Sequence, residues 1–143
     1  MTTVYFDSSA FVKLLLPESG RDVALDLWER AECAVSSRLA SPEVFAALAA
    51  AARGGRAVRE AASRLGDVWS IDIWAQVWPV ALTERVERLA AACAQQFQLS
   101  GADAVHLASA LVLDDSSVVM ATWDRRLSDA ARAAGLRVVP ANP

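Results

Sequence analysis

The chain is poor in the side chains on which many enzymes rely. Its 143 residues include one histidine, one tyrosine and two cysteines, and Lys13 is the sole lysine among 14 basic residues. Cys33 and Cys93 are too few and too far apart to form a metal-ligand pattern, and they read as reduced packing residues. No window approaches the ~18 uninterrupted apolar residues that a membrane span requires. The opening MTTVYFD has neither the basic start nor the apolar stretch of a secretory leader. A cytoplasmic protein without membrane contact is the expectation. Positive charge is also lacking, because the formal net charge is −3. That argues against holding nucleic acid by bulk basicity, but not against an enzyme whose local positive charge arrives as metal ions.

Apolar residues are abundant. The composition is 55% hydrophobic, which suits one ordinary domain with a real core, and no linker or repeat divides residues 1–143. Four β-branched or aromatic runs, Thr3–Phe6, Ala34–Ser37, Val68–Ile73 and Val118–Thr122, read as strands, with a short fifth at Arg137–Val139. Helical patterns lie between them: Arg21–Arg30, Pro42–Ala52, Arg56–Leu65 stopping at Gly66, Trp78–Phe97, Ala102–Leu113 and Arg125–Ala134. Such alternation predicts an α/β fold, a three-layer α/β/α sandwich around a central parallel sheet. Ligands of such sheets bind beyond the carboxyl ends of the strands, where strand order reverses.

Asp7 ends the first of these runs, in VYFDSSAF, and three further acids stand at helix starts. Glu43 lies in SPEVF, Asp103 in SGADAVHLA and Asp124 in ATWDRRL. Each has a structural explanation, since acids in a first turn complement the helix dipole by about 0.3–1 kcal/mol. Ser41-Pro42-Glu43 reads as an N-cap followed by proline and an acid. Ser100 and Asp103 resemble a capping box, and Asp7 and Asp124 are N-cap types themselves. Together the four carry more. Asp7 and Asp124 project from one edge of the sheet, and they face each other if the first and fourth strands are neighbours. Unit charges ~4 Å apart repel by about 4 kcal/mol at an effective dielectric near 20, so a carboxylate cluster calls for a cation. All-oxygen ligation suits Mg²⁺, with Mn²⁺ as a substitute, and points to phosphate-ester chemistry. Aspartyl-phosphate enzymes fit less well, because position 9 is serine rather than a second acid and the late lysine is missing.

In order along the chain, FDSSAFVKL, SPEVFAAL, LSGADAVHLASAL and ATWDRRLSDAARAAGLRVVPA resemble the successive blocks of the PIN-domain family, and within it the VapC-type ribonuclease toxins. The resemblance runs from residue 3 to about residue 140. It implies a metal-dependent endoribonuclease, the toxin of a toxin–antitoxin system, acting on RNA and silenced by a cognate antitoxin protein, with a homodimer expected. The family's acidic positions fall on Asp7, Glu43, Asp103 and Asp124, with Ser9 and Thr122 as supporting hydroxyl residues. The alternative is a catalytically silent PIN-fold binding module whose acids only cap helices.

Other side chains have double readings. His106, on the helical face of Asp103, is read as a helix residue hydrogen-bonded near the core edge, because two-metal hydrolysis needs no histidine base; its functional reading is a proton carrier or a partner of the metal ligands. Arg53, Arg56, Arg59 and Arg64 suit either RNA phosphates or a solvated face. Trp69, Trp74 and Trp78 suit core or interface, and Trp123 is the candidate base-stacking platform. The apolar helix around Phe45–Ala52 is the expected docking surface for the antitoxin.

Overall fold

A computed structural model of the chain describes residues 2–143. Five parallel strands form one sheet in the order β3-β2-β1-β4-β5. They are β1 (Thr3–Phe6), β2 (Cys33–Ser37), β3 (Trp78–Val80), β4 (Val119–Ala121) and β5 (Arg137–Val139). The helices are α1 (Ser8–Leu15), α2 (Arg21–Arg30), α3 (Ala40–Ala51), α4 (Arg56–Asp67), α5 (Glu84–Phe97), α6 (Gly101–Leu111) and α7 (Arg125–Ala133). None among the described residues is long and apolar enough to cross a membrane. The expected three-layer sandwich is therefore the observed architecture.

Alternation along β1 assigns the two faces. Val4 and Phe6 enter a core built with Phe11, Leu14, Val44, Leu48 and Trp69 from the first half of the chain. Tyr5 enters the opposite core, with Val86, Ala90, Leu107, Leu127 and Ala131 from α5, α6 and α7. The first core is aromatic: Phe11 packs on Phe6, Trp28, Trp69 and Trp74 at ring-centroid distances of 4.8 to 6.5 Å. The second is rich in alanine, which lets α5 and α6 approach closely.

Two expected elements exchange their types. Val68–Ile73 is not a strand but a π-helical turn that prolongs α4. Its apolar residues Trp69, Ile71 and Ile73 satisfy a strand period, yet Trp69 and Ile73 are buried while Ile71 is 69% exposed. Burial four residues apart is the helical period. The third strand instead lies at Trp78–Val80, inside the run expected to be helical, and α5 begins only after Thr83 caps it. Pro79 is tolerated there because β3 is an edge strand.

Smaller differences are local. Gly66 does not stop α4, which continues to Asp67. The turn before α3 also differs from the capping reading. The helix starts at Ala40 with Leu39 at the cap position, so Ser41 is not an N-cap. Pro42 still fits, being in the first turn, where its missing N–H leaves no hydrogen bond unmade.

Candidate functional site

Strand order reverses between β1 and β4, so a crevice opens beyond their carboxyl ends. The two strands pair in register from Val4 with Val119 to Phe6 with Ala121. The next residue, Asp7, continues the contact through its N–H to the Ala121 carbonyl at 3.1 Å. Asp7 thus sits at the reversal, with Thr122 directly across from it.

Asp7 is 4% exposed and closely held. Its Oδ1 accepts from the Ser9 hydroxyl at 2.6 Å and from the Ala10 N–H at 2.9 Å. Its Oδ2 accepts from the Thr122 hydroxyl at 2.6 Å. Burial raises its pKa, and the charge of His106 and these hydrogen bonds oppose the rise without cancelling it. Asp7 is the N-cap of α1, as its position in the sequence suggests.

Ser9 and Thr122 do more than serve Asp7. The Ser9 Oγ accepts the Trp123 N–H at 2.8 Å, and the Thr122 Oγ1 accepts the Asp124 N–H at 3.0 Å. The two hydroxyls therefore stitch the end of β1 to the loop after β4. Asp124 caps α7 through Oδ1, which accepts from the Leu127 N–H at 2.9 Å. The Trp123 ring lies against the first core and against Gly20, rather than standing free as a platform.

Glu43, in the first turn of α3, reaches a second group of residues. Its Oε1 accepts from the Ser8 hydroxyl at 2.6 Å and meets His106 Nε2 at 2.6 Å. Burial raises its pKa, but the hydrogen bonds from His106 and Ser8 outweigh burial and hold the carboxyl below its ordinary range. His106 is 2% exposed, and its Nδ1 lies 2.8 Å from the Tyr5 hydroxyl. It is thus a buried bridge between β1 and α3, a role larger than a position at the core edge. Neither Tyr5 nor Ser8 was marked by the sequence reading.

Asp103 begins near the cap of α6, its N–H bonded to the Ser100 Oγ at 3.2 Å. Its pKa is raised by burial first and then by the negative charge of Asp124, with Glu43 adding a smaller contribution. The ordinary hydrogen bond to Ser100 and the charge of His106 only partly offset this. Negative charge therefore concentrates on this side of the crevice. Among the described residues, no three His, Cys, Asp or Glu side chains stand close enough to hold one metal ion directly. The donors are nevertheless all oxygen, matching the chemistry of a hard divalent cation. Mg²⁺ keeps several of its waters, so carboxylates spaced around a crevice suit it without direct convergence. Away from the crevice, Arg56 is exposed and pairs with Glu60 one turn on, as a solvated face does.

Comparison with known proteins adds sequence relatives and fold neighbours. Residues 4–133 match the family model of the PIN domain. Ribonuclease VapC49 of Mycobacterium tuberculosis is 52% identical over 141 residues, covering 99% of this chain and 97% of the relative. Among solved structures, FitAcB from Neisseria gonorrhoeae aligns with a TM-score of 0.72 at 19% identity, over 94% of this chain and 95% of that one. The M. tuberculosis VapC20 structure, described as a Sarcin-Ricin loop cleaving toxin, aligns with a TM-score of 0.69 at 19% identity, over 98% and 99%.

Proposed function

The chain belongs to the PIN-domain family as a VapC-type member, and from that premise we propose that it is a Mg²⁺-dependent endoribonuclease, the toxin of a type II toxin–antitoxin pair. The observation that carries the proposal is the gathering of acidic side chains at the strand-order reversal, where burial first and then the charges of Asp124 and Glu43 raise the pKa of Asp103. That arrangement is costly without a cation and useful with one.

Asp7, Glu43, Asp103 and Asp124 would hold the ion. Bound Mg²⁺ or Mn²⁺ supplies Lewis-acid activation of water and charge neutralisation at the departing oxygen. The chain's own part is orientation. Ser9, Ala10 and Thr122 fix the Asp7 carboxylate with three donors, and Oδ2, carrying one of them, keeps acceptor capacity. Ser8 and His106 fix Glu43 through Oε1 alone. Asp124 is anchored by its cap to Leu127 and by its backbone to Thr122. No general base from the chain is required for a water nucleophile. Hydrolysis by water leaves a 5′-phosphate and a 3′-hydroxyl, whereas attack by the ribose 2′-hydroxyl would leave a cyclic phosphate.

The partners follow the same reading. The relatives and fold neighbours include VapC ribonucleases and FitAcB, and a cognate antitoxin is the proposed inhibitor. Its docking surface is the groove between α3 and α4, lined by Phe45, Leu48, Ala49, Ala52, Arg59 and Ala62. Phe45 is 45% exposed there, an apolar ring awaiting cover. A basic side chain from the antitoxin would silence the crevice by competing with the cation. A homodimer and a cytoplasmic location complete the proposal.

A second reading rests on the caps. Asp7 and Asp124 both cap helices, as a silent binding module would need. The deciding experiment is cleavage of RNA by partner-free protein, with and without chelator, followed by end-group analysis. Chelator-sensitive cleavage giving 5′-phosphate ends supports the nuclease. Cyclic phosphate ends, or full activity in chelator, would sink the metal mechanism even if RNA is cut.

A further inference from the structure

Glu43 and Asp7 are held by different means, and the means used for Glu43 has a direction. The Tyr5 oxygen accepts the Ser37 N–H at 3.0 Å, while its other close partner is His106 Nδ1 at 2.8 Å. A phenol has one proton. The Ser36 and Ser109 hydroxyls also neighbour the phenol oxygen, Ser36 with its own proton on the Phe6 carbonyl. We assign the phenol proton to Nδ1, which makes Nδ1 an acceptor. The imidazole proton then resides on Nε2, where Glu43 Oε1 lies at 2.6 Å and the Ser8 Oγ at 3.3 Å. Ser8 has given its own proton to Glu43, so its oxygen is an acceptor there. Every contact in the group is consistent with this one assignment of protons.

We propose that His106 is a positioning residue for Glu43: a directional chain from the Ser37 N–H through Tyr5 and the Nε2–H tautomer of His106 fixes the Glu43 carboxylate through Oε1 and leaves Oε2 for the crevice. The proposal rests on the metal-dependent reading of the site, but its first test does not. Oε2 takes no hydrogen bond among the described residues, whereas Oε1 takes two. The chain links β2, β1, α6 and α3, so the backbone of the central sheet sets the orientation of a residue on a surface helix. His106 and Tyr5 also meet edge-to-face at 6.0 Å, which restricts rotation of the ring.

Because the protein has one histidine, uniform nitrogen-15 labelling of histidine reports a single ring. In metal-free protein the expected spectrum places the ring proton on Nε2 and leaves Nδ1 as an acceptor. A ring protonated at Nδ1, or at both nitrogens, overturns the chain whether or not metal ever binds. The second arm measures Mn²⁺ affinity and the kcat and KM of RNA cleavage. His106→Phe should weaken Mn²⁺ binding about tenfold and lower kcat with KM little changed. His106→Gln, which can still offer an amide N–H to Glu43, should recover most of the loss. Tyr5→Phe keeps the ring packing and should lose about threefold. In a Glu43→Gln background, His106→Phe should add almost nothing. Equal losses with and without Glu43, each in a protein that melts cooperatively, would mean that His106 acts only on packing. If Glu43→Gln leaves Mn²⁺ affinity at the wild-type value, the metal reading of Glu43 fails, and with it the purpose assigned to the chain, even where the tautomer is as stated.

Discussion

The crevice has two halves that are organised in opposite ways. Asp7 and Glu43 are gripped by five donors from Ser8, Ser9, Ala10, His106 and Thr122, each at 2.6 to 2.9 Å. Asp103 and Asp124 are placed by helix starts and are set against each other by charge. The first half is ordered by hydrogen bonds before any cation arrives. The second carries repulsion that the proposed cation would relieve. In the proposed metal-dependent reading, the rigid half gives the ion a fixed reference and the frustrated half a reason to bind it.

The largest test of that contrast is catalytic. Asp7→Asn, Asp103→Asn and Asp124→Asn should each reduce RNA cleavage by roughly a thousandfold, since each removes charge aimed at the reaction centre. An asparagine variant that cuts RNA at the wild-type rate would take its residue out of the site. Next, removing a support from the rigid half should cost less than removing its acid. Ser9→Ala and Thr122→Val should lower activity by about 10- to 100-fold, with the loss showing also in Mn²⁺ affinity. If these variants lose as much as Asp7→Asn, the grip and the charge are inseparable and the division into halves is too fine.

Thermal denaturation sharpens the contrast without catalysis. Mg²⁺ or Mn²⁺ at about 100 times its dissociation constant should stabilise the wild type by about 2.7 kcal/mol. The gain should shrink in Asp7→Asn and Asp103→Asn. Equal metal-induced shifts in all three proteins would place the ions elsewhere and favour the capping reading.

The smallest effect is the pH dependence of the metal-free protein. Asp7 and Asp103 have raised pKa values when folded. Each therefore contributes stability that is full below its ordinary value of 3.8 and is lost as pH rises through the folded value. Glu43 has the opposite sign: its lowered pKa stabilises the fold above the ordinary 4.5, and that contribution is lost as pH falls through the folded value. Melting temperature should thus rise on mild acidification from pH 7.5 before Glu43 begins to protonate. Asp103→Asn should flatten the rise. A melting temperature that falls steadily from pH 7.5 downwards would mean that the two acids are not strained.

How much of this was legible in the sequence depended on distance along the chain. Asp7 and Asp124 could be placed at strand ends because an apolar run followed by an acid is a local pattern. The sheet itself followed from alternation, and Thr3–Phe6 and Arg137–Val139 were bounded as the structure has them. Val68–Ile73 was misread because alternating Trp69, Ile71 and Ile73 fit two periods at once, and only burial decides between them. The bridge through Tyr5 and His106 was not legible, since its members are 101 residues apart and no local pattern pairs them. A single histidine three positions after an acid was the one signal, and helix geometry alone assigns it no partner.

Gly20 begins α2 with φ of +94°, and a methyl group built there would stand 2.5 Å from the Trp123 indole nitrogen. Trp123 sits between Thr122 and Asp124, and its own N–H is tied to Ser9. A bulky ring in the acidic loop is therefore accommodated by the absence of a side chain at the cap of a helix that supplies none of the four crevice acids. For a designer, residues 20 and 123 are one specification of size. Lengthening the first means shrinking the second, and an alanine at Gly20 with the tryptophan retained should displace the segment that carries Asp124.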